Sequence, residues 1–213
     1  MLRIAVMVSG GGTNLQALID AQGRGEIPHG EIVCVVSNKQ GAGALDRAAK
    51  AGIPSFVCRK ADYPDTDARD DALLEFFRQN KVDVVVLAGY LAILTEKVIR
   101  QYPNRIINIH PSLIPSFCGM GFYGLRVHEA ALAAGVKVTG ATVHFVNEVA
   151  DGGAIIAQKP VMVADDDTPE SLQLRVMEQA EWQLLPYVTE QLCAGNIEVI
   201  DGKAYIRDER KGI

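Results

Sequence analysis

Two short runs, Val84–Ala88 and Ile106–Ile109, are apolar except for Asn108 and only about four or five residues long, so each must be covered on both faces. That is the signature of buried strands in a parallel sheet, which carries helices on either side. The second run contains Asn108, leads into His110, and then meets the turn Pro111-Ser112-Leu113-Ile114-Pro115. Residues i and i+2 of a strand share a face. Asn108 and His110 therefore project together at the carboxyl end of a strand, where open α/β sheets keep their ligands. A carboxamide beside an imidazole suits an oxyanion that develops during acyl transfer. The same pair could instead satisfy loop backbone.

The rest of the chain repeats the alternation. Arg3–Val8 reads as a first strand, Ile32–Ser37 as a second, Pro54–Cys58 as a third and Val82–Ala88 as a fourth. Helices are expected from Thr13, over Gly43–Ala51, over Thr66–Gln79 with Leu73, Leu74 and Phe77 buried, and over Leu125–Ala134. Strands follow at Val136–Val146 and Ala154–Val163, then a long helix to about Leu192 with Thr168 as N-cap and Pro169 at N1. Ile197–Ile200 and Lys203–Ile206 around Asp201-Gly202 read as a hairpin. The acidic stretches Asp62–Asp71 and Asp165–Asp167 read as solvated helix starts favoured by the helix dipole.

After the first strand comes Ser9-Gly10-Gly11-Gly12-Thr13-Asn14-Leu15-Gln16. Strand, glycine loop and helix N-terminus make an anion site, and Thr13 with Gln16 fits a capping box. A plain tight turn is the alternative. It is not a dinucleotide fingerprint, because a third glycine would have to stand at Leu15 and the second strand ends in Ser37-Asn38-Lys39 without an acidic residue. A P-loop is excluded by the absence of Gly-Lys-Ser/Thr. A phosphate on a small substrate fits better.

Other stretches stay open between two readings. The apolar loop Gly89–Leu94 either lines a slot for a flat ligand or is a buried turn. Ser116–Gly124, rich in glycine and aromatics, reads as a mobile flap or an irregular surface loop. His144, inside a strand, reads as structural, and Asp151, just before two glycines, as a turn residue that becomes chemical only if folding brings it to His110. Composition narrows the partners: a net charge of −5 argues against nucleic acid or an anionic membrane. Four scattered cysteines suggest neither a metal cage nor a disulfide framework. No signal peptide or membrane span is expected, so the cytoplasm is the expected location.

Three blocks carry a resemblance: Ser9–Gln16, Val84–Pro115 with NIHPSLIP, and Thr139–Gly153 with HFVNEVADGG. Through them the chain is similar, over roughly residues 1–206, to the family of folate-dependent phosphoribosylglycinamide formyltransferases of purine biosynthesis. The second block is shared with methionyl-tRNA formyltransferases and formyltetrahydrofolate deformylases; the glycine loop and the length single out the glycinamide ribonucleotide enzymes. The resemblance implies an α/β fold, a Rossmann-like three-layer sandwich with a mostly parallel central sheet. It implies one domain over residues 1–213, with a phosphate-binding half (about 1–105) and a folate-binding half (about 106–206).

It further implies transfer of a formyl group from 10-formyltetrahydrofolate to the amine of 5-phosphoribosylglycinamide (glycinamide ribonucleotide), without a metal, by a monomer or homodimer. Asn108, His110 and Asp151 match the catalytic trio, with Asp151 keeping His110 charged. Gly12, Thr13, Asn14, Leu15, Gln16 and Glu181 match the phosphate and ribose site. Leu91, Ala92, Ile93 and Leu94, with Asn108 and the loop Asn147, Glu148, Val149, Ala150 and Asp151, match the folate site. No covalent intermediate is implied, so Ser112 and Cys118 are not nucleophiles. Three departures stand out. Thr66 replaces a family arginine, with Arg69 the nearest candidate. The flap Phe117–Val127 is longer than in the commonest members, and the match at Glu181 needs a one-residue insertion in its helix. Hydrolysis of the formyl donor and simple binding of a phosphorylated metabolite are the competing functions.

Overall fold

The computed structural model describes residues 1–207. In chain order the elements are β1 (Leu2–Val8), α1 (Thr13–Gly23), β2 (Gly30–Ser37), α2 (Gly43–Lys50), β3 (Ser55–Val57), α3 (Thr66–Gln79), β4 (Val84–Leu87), α4 (Glu96–Gln101) and β5 (Ile106–His110). Then follow α5 (Leu125–Ala133), β6 (Val138–Phe145), β7 (Ile155–Met162), α6 (Pro169–Val176), α7 (Trp182–Cys193), β8 (Ile197–Ile200) and β9 (Lys203–Ile206). Seven strands form one sheet in the order β3-β2-β1-β4-β5-β6-β7. The first five are parallel, and β6 runs antiparallel to both β5 and β7. Helices cover both faces.

The apolar strands are explained by that double cover. In β1, Ile4, Val6 and Val8 face a core shared with α1, α6 and α7, whereas Ala5 and Met7 face one shared with α3 and α4. The chain steps outward from β1 to β2 and β3, then returns to place β4 on the other side of β1. The strand order therefore reverses between β1 and β4, and a crevice opens at their carboxyl ends. The loops after these strands meet there: the Leu91 amide donates to Ser9 Oγ at 2.8 Å.

Several sequence expectations change. The capping box at Thr13 does not form. Gly12 is the N-cap, with φ of 76°, so Thr13 already lies in the helix and its hydroxyl caps nothing. Gln16 instead bonds Asp20 at 2.8 Å and Arg47 at 3.1 Å. The acidic stretch Asp62–Asp71, which runs into α3, is not wholly solvated, since Asp70 is fully buried between Arg69 and Thr95. The expected long C-terminal helix is interrupted: Met177–Glu181 form a π-turn between α6 and α7. At its end the Trp182 amide reaches back five residues to the Met177 carbonyl. A π-turn is in effect a one-residue insertion, which is what the match at Glu181 required. The hairpin β8–β9 turns at Asp201 and Gly202, both at positive φ.

Candidate active site

The crevice between β1 and β4 extends along the end of β5 into a single cleft of about 550 Å³. One end is made by the glycine loop. Gly12 is held in the left-handed region, and a Cβ there would lie 2.6 Å from that of Ala44, so only glycine fits. The loop is docked on α2: the Ala44 amide donates to the Gly10 carbonyl at 3.1 Å, and Arg47 Nε donates to the Gly11 carbonyl at 2.8 Å. This leaves the first-turn amides of α1, at Thr13, Asn14 and Leu15, without intrahelical acceptors.

Gly12, Thr13 and Asn14 line the cleft as expected. Leu15 is buried in the core and Gln16 faces Arg47, so neither side chain reaches the cleft. Leu15 contributes only backbone, and the Gln16 amide is already engaged by the Gly12 carbonyl. The π-turn points Glu181 into the same end, where it accepts a 2.5 Å hydrogen bond from Asn14 Nδ2. Burial raises the Glu181 carboxyl to about 6, against which the Asn14 hydrogen bond acts.

The other end is built by side chains from β5, β6 and the turn after β6. Thr142 Oγ1 donates to the Ser112 carbonyl at 2.6 Å and accepts from the Ile114 amide at 3.1 Å, fixing the turn after β5. Ser112 is fully buried, its hydroxyl on the Ser116 carbonyl. Asp151 arrives by a tight turn. A Cβ at Gly153 would stand 1.7 Å from the Phe145 carbonyl, so glycine lets the chain leave β6 and re-enter β7 at close range. Asp151 itself has φ of 53°. Folding thus brings Asp151 Oδ2 to 3.6 Å from His110 Nδ1, beside Asn108.

His144 belongs to this cluster, contrary to its reading as structural. It pairs directly across from Asn108 in the β5–β6 ladder. Its Nδ1 lies 2.7 Å from the Phe145 carbonyl, which can only accept, so Nδ1 carries the proton. Nε2 lies 3.1 Å from Asn108 Nδ2 and 3.6 Å from Asp151 Oδ1. His144 fixes the Asn108 amide with its second N–H free for a ligand.

Electrostatics modify the expectation for His110. Its burial lowers the imidazole pKa, outweighing the Asp151 carboxylate and the Phe117 carbonyl, which raise it. His110 is therefore held below the ordinary histidine value in this arrangement, not kept charged by Asp151. For Asp151 burial works upward, but His144, His110 and the Gly119 amide together hold the carboxyl below the usual range. The segment read as a flap contacts both groups: the Phe117 carbonyl accepts from His110 Nε2 at 2.9 Å, and the Gly119 amide donates to Asp151 Oδ2 at 2.8 Å.

At the mouth, Leu91, Ala92, Ile93 and Leu94 line one wall, and Asn147, Glu148, Val149 and Ala150 the other. Leu94 is buried, whereas Leu91, Ile93 and Val149 are exposed apolar side chains facing the opening. Arg69 does not take the place of the missing arginine. Its guanidinium bonds Asp70 at 2.7 Å in the layer beneath and does not line the cleft. Sequence reasoning also passed over His128 and Lys39, both of which line the cleft. His128 is fully buried with neither ring nitrogen hydrogen-bonded, and burial lowers it to about 4.

The crevice joins a helix N-terminus with free first-turn amides to an amide–imidazole–carboxylate cluster, an arrangement suited to acyl transfer. The chain belongs to the formyl transferase family, whose model matches residues 2–189. Within that family it is 42% identical over 206 residues to the phosphoribosylglycinamide formyltransferase of Haemophilus influenzae, covering 97% of this chain and 94% of that one. Its fold superposes on the glycinamide ribonucleotide transformylase 1 of Symbiobacterium toebii with a TM-score of 0.91, at 40% identity, covering 98% and 95% of the two chains. A formyltetrahydrofolate deformylase from Pseudomonas syringae is similar at a TM-score of 0.86 and 29% identity, but this chain covers only 66% of it.

Proposed function

We propose that the protein transfers the formyl group of 10-formyltetrahydrofolate to the amine of 5-phosphoribosylglycinamide, releasing the N-formyl product and tetrahydrofolate in de novo purine biosynthesis. The observation that carries this reading is that one cleft contains both the anion site and the Asn108–His110–Asp151 cluster. The phosphate rests on the amides of residues 12–15 and the ribose against Glu181. The flat pterin enters between 91–94 and 147–151, and the two substrates meet at Asn108 and His110.

The amine attacks the formyl carbon, the carbonyl oxygen becomes an oxyanion, and the attacking nitrogen acquires a proton to shed. Asn108 donates its free N–H to the oxyanion. His110 starts with its charge disfavoured by burial. Through the water held by Asp151, His110 Nδ1 takes the proton that the attacking nitrogen sheds. The developing oxyanion and Asp151 stabilise the imidazolium, so His110 gains charge in step with the transition state. The proton returns through that water to the leaving nitrogen as its bond to the formyl carbon breaks. The His110 Nε2 proton is engaged by the Phe117 carbonyl, so the oxyanion takes that hydrogen bond by displacing the 116–124 segment. Asp151 holds the water that relays the proton towards the leaving nitrogen.

Hydrolysis of the formyl donor is the second reading, favoured by the likeness to a deformylase. The intact glycine loop with Glu181 favours transfer. Consumption of 10-formyltetrahydrofolate is measured with and without glycinamide ribonucleotide. Consumption only with the amine is expected; equal consumption without it makes the enzyme a hydrolase, and none in either case leaves a binding protein. A monomer or homodimer in the cytoplasm, without nucleic acid or membrane partners, completes the reading. Among the described residues no helix is long and apolar enough to cross a membrane.

A further inference from the structure

We infer that Lys39 is the cation that holds the phosphate of the amine substrate, an assignment that rests on the formyl-transfer reading above. A phosphate monoester carries close to two negative charges at neutral pH. The N-terminus of α1 offers roughly half a positive charge and a few amides. The cleft itself is acidic, since Glu148, Asp151 and Glu181 all line it, the last at the phosphate end. An anion placed there needs a counter-charge, and among the described residues Lys39 is the only lysine or arginine that lines the cleft.

The two cations around the glycine loop contrast sharply. Arg47 is occupied by the loop itself, through the Gly11 carbonyl at 2.8 Å and Gln16 at 3.1 Å, and does not line the cleft. Lys39 has no carboxylate within ion-pair distance among the described residues. Its backbone is nonetheless fixed. The hydroxyl of fully buried Ser37 accepts from the Lys39 amide at 3.1 Å and donates to the Lys39 carbonyl at 2.8 Å. A fixed backbone carrying an unpaired ammonium on the lining of the cleft that the glycine loop also lines is arranged for an incoming anion. Arg47 shapes the loop, and Lys39 supplies the charge.

The test compares wild type, Lys39→Met and Lys39→Arg on glycinamide ribonucleotide and on its dephosphorylated riboside. Loss of a charge-assisted hydrogen bond raises KM for the ribonucleotide by about 10- to 100-fold in Lys39→Met. The kcat and the KM for 10-formyltetrahydrofolate stay near wild type, and Lys39→Arg recovers most of the loss. Turnover of the riboside is the same in all three, so the variant loses the preference for the phosphorylated substrate. Equal losses on both substrates, or an unchanged KM, overturn the assignment. Calorimetric binding of ribose 5-phosphate separates this inference from the functional one. If wild type transfers no formyl group but binds ribose 5-phosphate and Lys39→Met weakens that binding, Lys39 stands while the reaction falls. If substitution leaves binding unchanged, or wild type does not bind, Lys39 falls.

Discussion

The two ends of the cleft are built from different materials. The phosphate end is backbone: three amides, a left-handed glycine and a loop pinned to α2 by Arg47. The reacting end is side chain: Asn108 and His110 from β5, His144 from β6 and Asp151 from the turn beyond, closed over by Phe117 and Gly119. On the proposed reading, the first meets a charge that the substrate always carries, which fixed dipoles and one permanently charged lysine can answer. The second must meet charge that exists only during reaction, which calls for groups whose protonation can change. The ends should therefore fail differently. Substitutions at the side-chain end should remove rate while sparing the fold; at the backbone end, changes to the main chain or to Lys39 should act on binding of the amine substrate rather than on rate.

The largest expected effect is at the reacting end. Asp151→Asn and His110→Ala should each lower kcat by about 10²–10³-fold. The KM for glycinamide ribonucleotide and the thermal midpoint should stay near wild type. Steady-state kinetics with both substrates varied makes the measurement. A loss carried mainly in the amine's KM would erase the distinction between the two ends.

Next comes the backbone end. Gly12→Ala forces a Cβ to 2.6 Å from that of Ala44 at a φ of 76°. The strain should cost about 1–3 kcal/mol of stability and raise the amine's KM, with kcat at saturation less affected. Adding Ala44→Gly removes the Cβ contact but leaves the backbone Cα of residue 44 at 2.7 Å and the unfavourable φ, so it should restore only a small part of the stability. Full recovery would show that the Ala44 methyl alone requires glycine here, and no recovery that the dihedral and the backbone approach do.

The same contrast explains what could be read from the chain unaided. Short apolar runs, the glycine loop, the Asn-x-His strand end and the Asp-Gly-Gly turn are local patterns, and each landed where expected. His144 was misread because its role depends on standing opposite Asn108 in an antiparallel ladder. No local pattern reports a pairing across 36 residues. The capping box failed for a local reason that composition hides. Once Gly12 takes a left-handed φ, the helix begins at Thr13 rather than after it. The π-turn left one trace, the one-residue excess before Glu181; its carbonyl pattern has no residue preference to read. Lys39 was noted only as the residue that broke a dinucleotide pattern, because its isolation from carboxylates is a property of the folded surface.

The smallest effect is one that wild type conceals. His128, held at about 4 by burial, refuses a proton that the unfolded chain takes up at 6.5, so it withdraws stability as pH falls from about 6.5 towards 4. Glu181, raised to about 6 by burial from 4.5, keeps a proton that the unfolded chain sheds. Its contribution is complete below about 4.5 and is lost as pH rises through 6. Between 4.5 and 6 the two slopes oppose, each at most about 1.4 kcal/mol per pH unit. His110, also held low, adds to the His128 side, while Asp151 and Asp167, held below the carboxylate range, titrate beneath this window. Urea midpoints across pH 4–7 should therefore separate the two ends relative to wild type. Glu181→Gln should make stability climb more steeply with pH, and His128→Gln should tilt it the other way, by up to about 2 kcal/mol across the window. If both substitutions leave the profile parallel to wild type, neither buried group carries a proton burden of its own. The pH dependence of the cleft would then rest on Asp151 and His110 alone.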